Sequence, residues 1–390
     1  MEILVASGPS KNGKREIIQE LEKHNPKFYL IDNPGQIDST FNTNYGLLHL
    51  SSNIWRSIQN INIGNGYQYW FARKQMILSV ICPVLNGEKY IIDNILTFFI
   101  NSKIQEKELL IIDGGSNDRT IEIVTDWCQK YSNIKLIHNP HKYVPYALNI
   151  GIKESNGQFI SRLDVHTVYP KNYFEKCIEL SKTINADNIG GTIISCGVSI
   201  CGKAIAHSMS SLFGVGNSTP RIKGYDGYVD SIAFGFWDKQ VFDKYGLFDE
   251  TLIKNQDEDH NYLIIENGGK VYQSSKIKTY YFVREKIIDL INQMFYYGFY
   301  KPSVLVKNIS RIKFRHIIPS LFSAYIFTIF FNLNPFWLIP LYSYLLLNIL
   351  FSIINKENIL TKIICIIIFP IMHLSYGIGF ILGLINAYKK

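Results

Sequence analysis

The stretch ELLIIDGGSNDRT, residues 108–120, decides the fold, because an apolar run ends at an acid and at a glycine-rich turn that opens a helix. Two further runs are organised in the same way: MILSVICPV at 76–84 leads to Asn86, and QFISRLD at 158–164 ends at Asp164. Helical patterns separate the three runs, which is typical of βαβ units. The sequence therefore predicts an α/β fold with a mostly parallel sheet flanked by helices.

Polar residues stand at the ends of these predicted strands. Ligands of open α/β sheets bind beyond the carboxyl ends of the strands, so Asn86, Asp113 and Asp164 are expected to share one rim. In the turn after Asp113, glycines let the backbone approach a ligand, and acids can accept hydrogen bonds from ribose or from a base. An Asp- and Ser-rich helix cap is the alternative interpretation of this turn.

The motif RLDVHT, residues 162–167, contains a carboxylate and an imidazole two positions apart. In an extended chain the side chains of Asp164 and His166 point the same way and can reach one cation. Such a pair suits a manganese or magnesium ion that a diphosphate carries. A buried histidine bonded to its neighbour is the alternative.

The segment NQDEDHNYLIIENGG, residues 255–269, opens with Asp257, Glu258 and Asp259 and continues as an apolar-periodic helix. Acids in a first helical turn are expected from the helix dipole alone. The functional alternative makes one of them a general base for an acceptor hydroxyl.

Composition excludes several classes of protein. The net charge of +8 forms no stripe interleaved with aromatic residues, which argues against a nucleic-acid partner. The six cysteines contain no CxxC pair, so neither a disulfide framework nor a zinc site is predicted, and a reducing cytosolic location fits the soluble part. No GxGxxG follows the first strand, which disfavours a dinucleotide-dependent dehydrogenase.

The chain changes character near its C-terminal end. Residues 76–305 form the predicted catalytic domain, and residues 306–390 form a membrane segment. Its apolar part, residues 317–354, is long enough for two spans, and a third run at 363–387 is expected to span or to be re-entrant. The preceding basic residues, which are Lys307, Arg311, Lys313 and Arg315, predict a cytoplasmic catalytic domain beside anionic membrane lipids. The alternative is that these helices form the core of a large soluble protein.

Residues 1–75 form an N-terminal extension that repeats part of the catalytic domain. Residues 7–34 align without a gap onto residues 113–140, with Asn33-Pro34 on Asn139-Pro140. The repeat lacks a first strand and has Ser7 where Asp113 stands. We interpret it as a partial duplicate of the donor-site βα unit that carries no chemistry, with chance similarity as the alternative.

Six motifs together resemble a known family. They are ICPVLNGEKYI, LLIIDGGSNDRT, PYALNIGI, SRLDVHTVYP, FDETLIKNQDEDHNYLI and QMFYYGFYK. Their order and spacing resemble family 2 glycosyltransferases with the GT-A fold, in particular the succinoglycan biosynthesis glucosyltransferase type. The resemblance covers residues 76–305 and continues into the apolar segments.

The resemblance implies roles for individual residues. The nucleotide-sugar site would comprise Pro83, Asn86, Glu88, Asp113, Asp118 and Asp164. The metal and diphosphate motif would comprise Asp164 and His166, and Asp257 would be the catalytic base. The segment that closes over nucleotide and acceptor would contribute Gln293, Tyr297 and Gly298. Gln256 and Phe299 depart from the family pattern, which usually has glutamate and tryptophan there.

The implied activity is metal-dependent, inverting transfer of a sugar from a nucleotide-diphosphate donor to a saccharide or a lipid-linked acceptor. One base suffices because a divalent cation, manganese or magnesium, neutralises the leaving diphosphate. The region between Gly190 and Asp249 is long enough to build an acceptor site. Two alternatives stay open: transfer onto a polyprenyl phosphate, and a non-catalytic membrane-bound binder of nucleotide sugars or glycans.

Overall fold

A computed structural model describes residues 76–221, 224–329, 331, 334–354 and 357–387, and the backbone of four strands between residues 2 and 74. The chain divides into two compact units, Met1–Ile77 and Leu78–Lys390. The second unit runs across the boundary that composition predicted between residues 305 and 306.

The strands are, in chain order, β1 (Glu2–Ala6), β2 (Lys27–Ile31), β3 (Tyr45–Leu47), β4 (Trp70–Lys74), β5 (Leu78–Val84), β6 (Lys107–Asp113), β7 (Ile134–His138), β8 (Phe159–Arg162), β9 (Thr167–Val168), β10 (Asn188–Cys196), β11 (Gly227–Tyr228), β12 (Phe236–Asp238) and β13 (Val271–Phe282). The three runs that the sequence singled out are β5, β6 and β8.

The sheet of the second unit has the strand order β11-β13-β10-β12-β8-β5-β6-β7, and β9 pairs with β13. From β8 to β7 all neighbours are parallel, as predicted. Beyond β8 the sheet is mixed, since β12 runs antiparallel to both β8 and β10. The sheet is therefore mixed, and the strands that lead to the predicted site residues pair in parallel. The sequence did not reveal β12 because three residues are too few to establish a periodicity.

The helices of the second unit begin with a π-helical turn, Ile92–Thr97, that continues into α1. They are α1 (Phe98–Asn101), α2 (Thr120–Lys130), α3 (Val144–Glu154), α4 (Tyr173–Thr183), α5 (Ile200–Met209), α6 (Leu212–Val215), α7 (Gln240–Tyr245), α8 (Gln256–Glu266), α9 (Ile287–Leu305), α10 (Phe314–Ile329), α11 (Ile339–Ile353) and α12 (Ile359–Ala387). Short 3-10 turns cover Thr219–Arg221 and Ile309–Arg311.

The core of the second unit lies against the central strands. Every residue of β6 is buried, which is why its central residues, 109–112, are all apolar and do not alternate with polar ones. Ile81 and Leu110 share a buried cluster with Ala147 of α3, Trp237 of β12 and Ile264 of α8. This packing holds the carboxyl ends of β5, β6 and β8 at fixed positions.

The first unit contains a sheet in the order β2-β1-β4-β3. β1 and β2 are parallel with Ile3 opposite Phe28, and β6 and β7 are parallel with Leu109 opposite Ile134. The two partners are 25 positions apart in both pairs (28 − 3 and 134 − 109). Beside β6 stands the parallel β5, whereas beside β1 stands the antiparallel β4. The aligned residues 7–26 lie outside the described part of the chain.

Helices α9 and α12 pack with their backbones in close contact. A Cβ atom added at Gly298 of α9 would lie 2.1 Å from the Tyr376 carbonyl oxygen. Added Cβ atoms at Gly379 and Gly383 of α12 would lie 2.2 and 2.1 Å from carbonyl oxygens of α9. Small residues allow such contacts between helices. Gly298, which was predicted for the closing segment, therefore allows α12 to pack closely against α9.

The C-terminal helices differ from the predicted pair of spans within residues 317–354. α10 has 16 residues and α11 has 15, or about 24 and 22 Å at ~1.5 Å per residue, which is short of a ~30 Å hydrocarbon core. Within the described residues, only the 29-residue α12 is long and apolar enough to cross a membrane. In its most apolar 18-residue window, 44% of the residues are buried inside the protein. The predicted pair of spans is therefore not supported.

The basic group before α10 is engaged within the protein. Lys307 forms ion pairs with Asp249 and Asp259, Arg311 with Asp259 and Glu266, and Arg315 with Asp230, at distances of 2.6 to 2.9 Å. Lys313 is exposed. Most of this charge thus fastens the C-terminal segment to α8 and its surroundings, and less of it is available to a membrane surface than predicted.

Candidate active site

The turns that follow β5 and β6 are joined by hydrogen bonds. The amide of Asn86 donates to Ser116 Oγ, and the amide of Asn117 donates to Asn86 Oδ1, both over 2.8 Å. The amide of Arg119 donates to Glu88 Oε2 over 2.8 Å. Asn86 has a φ of 54°, a backbone state that asparagine adopts more readily than most residues. Asn86 and Glu88 therefore lie on the same rim as the DGGSNDRT turn.

Asp118 and Pro83 belong to the same rim. Asp118 Oδ2 accepts the amide of Glu88 over 3.1 Å, and its Oδ1 accepts the Thr120 amide over 3.0 Å. Pro83 is half-buried near the end of β5, where it pairs with Ile112 across the sheet. Asp118 thus joins Asn86 and Glu88 beyond β5 and β6, and Pro83 lies one residue before the end of β5.

The carboxylate of Asp113 accepts hydrogen bonds from the turn that follows it. Its side chain is buried, with 2% of the residue exposed. Its Oδ2 accepts the amide of Gly115 over 2.8 Å, and its Oδ1 accepts the hydroxyl of Ser116 over 2.5 Å. This is the geometry of the capping alternative. Gly115 has a φ of +87° with open space where a Cβ would stand, so the backbone of the turn remains accessible beside the acid.

Asp164 and His166 lie in a turn after β8, which corrects the prediction of an extended strand end. The amide of His166 donates to Asp164 Oδ1 over 2.9 Å, and the amide of Thr167 donates to the Asp164 carbonyl over 3.1 Å. The turn forms because Asp164 caps it with its own carboxylate. Burial lowers the pKa of His166, an effect that the charge of Asp164 partly offsets. The imidazole is therefore neutral near pH 7 and able to bind a metal.

The donor set decides which kind of metal site is compatible with these residues. Within the parts of the chain that the structure describes, no group of three or more His, Cys, Asp or Glu side chains could hold a metal ion. Asp164 and His166 would supply one oxygen and one nitrogen. Manganese and magnesium accept such ligands and take their remaining ligands from phosphates and water. The pair fits a cation that arrives with a diphosphate, and does not fit a resident metal centre.

Asp257 is held by a buried arginine. Arg162, the last residue of β8, forms an ion pair through Nη1 with Asp257 Oδ1. The Arg162 side chain is 8% exposed, whereas that of Asp257 is 28% exposed. Because β8 leads directly into the turn of Asp164, this ion pair connects the base candidate to the metal candidate. The carboxylate is oriented by a fixed cation and remains accessible on its other side.

The next two acids of α8 have different surroundings. The Glu258 side chain is 12% exposed and forms an ion pair with Lys301 of α9. Burial alone would raise the pKa of Glu258, but the ammonium group of Lys301 holds it far below its ordinary value. The Asp259 side chain is 8% exposed and contacts Arg311 Nη1 at 2.7 Å and Lys307 Nζ at 2.9 Å. Glu258 therefore fastens α8 to α9, and Asp259 fastens it to the segment between α9 and α10.

The predicted closing segment is close to both parts of the site. Gln293 Nε2 donates to the hydroxyls of Tyr281 and Tyr297 over 3.1 and 3.3 Å. The carbonyl of Tyr297 accepts Asn255 Nδ2 over 3.3 Å, two residues before Asp257. Burial raises the pKa of Tyr297 to about 12, and the charge of Asp164 acts in the same direction. Tyr297 thus lies beside the start of α8.

Two arginines near the site carried no prediction. Arg162 lies in the motif RLDVHT, at the end of a buried strand. A buried charge requires a partner, so this position indicated an ion pair with an acid elsewhere in the chain. Arg221 stands in the 3-10 turn Thr219–Arg221, which has no pattern that could single it out.

Comparison with known proteins agrees with this geometry. Residues 79–245 match the family model of Glycosyl transferase family 2. A dolichyl N-acetyl-alpha-D-glucosaminyl phosphate 3-beta-D-2,3-diacetamido-2,3-dideoxy-beta-D-glucuronosyltransferase of Methanococcus voltae is 28% identical over 231 residues, covering 57% of this chain and 71% of that protein. The succinoglycan biosynthesis protein ExoA of Rhizobium meliloti is 24% identical over 242 residues, covering 62% of this chain and 73% of that protein.

A solved structure has the same fold. The mannosyltransferase PcManGT from Pyrobaculum calidifontis, in complex with GDP-Man and Mn²⁺, superposes with a TM-score of 0.51. It is 12% identical, and the match covers 80% of this chain and 88% of that chain. Together with the family match over the strands that carry Asn86, Asp113 and Asp164, this shows that the chain carries a family 2 glycosyltransferase domain with a GT-A-like fold.

Proposed function

We propose that this chain is an inverting glycosyltransferase that moves a sugar from a nucleotide-diphosphate donor to a hydroxyl of a lipid-linked saccharide. One observation carries the proposal. Among the three acids that open α8, Asp257 has the most exposed side chain, and it pairs with Arg162 at the end of the strand that leads to Asp164 and His166.

The chemistry follows from this arrangement. Asp257 accepts the proton of the acceptor hydroxyl while the oxygen attacks the anomeric carbon. Arg162 holds the Asp257 carboxylate in one orientation, so the base does not have to be repositioned during the reaction. A single displacement inverts the configuration, and an α-linked donor gives a β-linked product. Asn86, Glu88 and the Asp113 turn bind the nucleotide end of the donor.

Asp164 and His166 would hold a divalent cation, manganese or magnesium. When bound, the cation stabilises the negative charge of the diphosphate leaving group. The lowered pKa of His166 keeps its imidazole neutral for this role. The Mn²⁺ in the PcManGT complex, a protein of the same fold, is consistent with the assignment.

The acceptor and the location follow from the relatives and from α12. The name of the Methanococcus voltae relative specifies a dolichyl-linked sugar phosphate, an acceptor held at a membrane. α12 is long enough to attach this chain to the same surface. Nucleotide sugars are made in the cytoplasm, so the catalytic domain would face that side. Cleavage of the domain by protease in intact cells but not in inside-out vesicles would overturn this orientation.

A screen of nucleotide sugars tests the proposed function. Full-length protein purified in detergent is incubated with each donor, manganese and a lipid extract, and release of nucleoside diphosphate is measured. We expect one or a few donors to be consumed, with Asp257→Asn as the inactive control. If both proteins bind a donor and neither consumes any, the chain is a non-catalytic binder and the proposal is wrong.

A further inference from the structure

A cavity of about 500 Å³ lies beside the proposed base. Its lining includes Asn255 and Glu258, the residues on either side of Gln256 and Asp257, and Tyr297 of the closing segment. The remaining lining comes from the region of α5 and α6, the turn at Thr219–Arg221, residues 230–231, α9, and helices α10 to α12. The cavity therefore extends from the catalytic turn of α8 to the C-terminal helices.

Four charged residues of the lining are joined by ion pairs. Arg315 contacts Asp230 at 2.8 Å and Glu258 at 4.0 Å, and Lys301 also pairs with Glu258. Together with Arg221, the lining contains three cations against two carboxylates. One positive charge is thus in excess on this side of the cavity.

The excess charge belongs to Arg221. Its Nη1 donates to Ser195 Oγ over 2.8 Å, and its guanidinium carbon lies 5.9 Å from the centre of the Tyr281 ring. Among the residues that the structure describes, no carboxylate lies within ion-pair distance of it. Burial lowers the pKa of Arg221, and the phenols of Tyr297 and Tyr281 act in the other direction. A half-buried guanidinium of this kind is stabilised most by an anion.

The apolar residues of the lining form a second group. Phe322 of α10 stacks on Tyr344 of α11, with ring centres 4.1 Å apart, and Phe213 lies 5.3 Å from the same tyrosine. Ile318 and Met372 add aliphatic surface from α10 and α12. Hydrocarbon is the ligand that such a lining stabilises.

We propose that this cavity binds the head of a lipid-phosphate-linked acceptor, with the phosphate on Arg221 and the first units of the hydrocarbon chain against Ile318, Phe322 and Tyr344. The proposal deepens the proposed function and rests on it, since it names the substrate class of the same site. About 500 Å³ accommodates a head group and a few chain units, so the rest of the chain leaves along α10 to α12.

This occupant satisfies both groups of residues at once. A soluble saccharide would leave the apolar lining in contact with water, and a hydrocarbon without a phosphate would leave Arg221 without an anion. A sugar attached to the lipid phosphate would extend from Arg221 towards Tyr297 and the first turn of α8. Its hydroxyl could then reach Asp257.

Binding of short lipid analogues tests the proposal without requiring turnover. The probes are farnesyl phosphate, farnesol and inorganic phosphate, titrated into full-length protein in detergent. We expect wild type to bind farnesyl phosphate more tightly than either other probe. Arg221→Met should weaken farnesyl phosphate binding about 10- to 100-fold, the range for a lost hydrogen bond to a charged group, and leave farnesol binding unchanged.

Three further variants separate the effects. Lys244→Met removes an exposed cation of α7, with a side chain 64% exposed, and should bind all probes like wild type. Arg221→Lys should recover part of the farnesyl phosphate affinity. Ile318→Glu, at an exposed position of the apolar lining, should weaken farnesol and farnesyl phosphate alike. Thermal unfolding of each variant shows that it is folded.

Unchanged farnesyl phosphate binding in folded Arg221→Met would overturn the proposal. So would equal affinity of wild type for farnesol and farnesyl phosphate, or inorganic phosphate that binds as tightly as the lipid phosphate. Failure of the proposed function looks different: no nucleotide sugar is consumed, while the lipid phosphate still binds through Arg221. Conversely, an active enzyme whose Arg221→Met variant binds the lipid normally would disprove the site alone.

Discussion

Asp257 and Asp259 are two residues apart in the first turn of one helix. Their side chains differ in exposure and in the number of cations that they contact. Asp257 is 28% exposed at its side chain and has one cation partner, Arg162. Asp259 is 8% exposed and has two, Arg311 and Lys307. The charge pattern of the sequence alone therefore does not identify the catalytic base. The acid that can do chemistry is the one that is oriented on one side and open on the other.

The largest expected effect is that of Asp257→Asn. The amide keeps the shape of the side chain but cannot take the acceptor proton, so turnover should fall ~10²- to 10⁴-fold. Donor affinity, measured by titration with the nucleotide diphosphate, should stay the same, because the nucleotide site lies beyond β5 and β6. Near-normal turnover would require Glu258 or Asp259 to be the base.

Asp259→Asn should act on stability instead. It leaves the guanidinium of Arg311 and the ammonium of Lys307 without their shared carboxylate, and breaking a buried ion pair costs ~3–5 kcal/mol. Chemical denaturation measures this loss as a lower free energy of unfolding. Glu122→Gln, which removes an exposed ion pair with Arg119, is the matched control, and we expect it to unfold close to wild type. Equal destabilisation by both substitutions would show that the Asp259 ion pairs contribute no more than an exposed pair.

Asp164→Ala tests the proposed metal ligand in the turn after β8. Loss of one metal ligand should weaken donor binding in the presence of manganese by ~10- to 100-fold, the range found when metal sites are perturbed. The same substitution should matter little when donor binding is measured with a chelator. Chelation should also stop transfer by wild type, and full activity in excess chelator would contradict the metal assignment.

Deleting residues 1–70 should have the smallest effect. The first unit is compact by itself, and Met76 and all of β5 remain after the deletion. Because Ser7 stands where the aligned Asp113 would be, this unit lacks the acid of the donor turn. Turnover of the truncated protein should equal that of the full chain. A folded but inactive truncation would show that the first unit takes part in the reaction.

The strand-end motifs could be predicted from sequence because each follows a continuous apolar run. Because β5 and β6 are buried on both faces, their apolar sequences identify them as strands without knowledge of their neighbours. Ligands bind at the ends of such strands, which predicts that Asn86, Glu88 and Asp118 lie close together. The shape of the turn after β8 could not be predicted in this way. Its shape depends on a hydrogen bond from the His166 amide to Asp164, and local periodicity does not report such a bond.

Ion pairs between residues that are far apart in the chain could not be predicted from the sequence. Arg162 and Asp257 are 95 positions apart, and Lys307 and Asp259 are 48 apart, so no local pattern shows that they pair. The basic group before α10 was therefore interpreted as a membrane signal, although most of it binds α8. Hydropathy likewise reported the apolar segment at 317–354 but not the ends of α10 and α11, which make each helix too short to span.

The most direct test of the account compares single-turnover rates of wild type, Asp257→Asn and Asp259→Asn at saturating donor and acceptor, each normalised to folded protein. We predict that Asp259→Asn transfers the sugar at close to the wild-type rate, whereas Asp257→Asn is slower by ~10²- to 10⁴-fold. The opposite order, or equal losses in both folded variants, would contradict the assignment of Asp257 as the base.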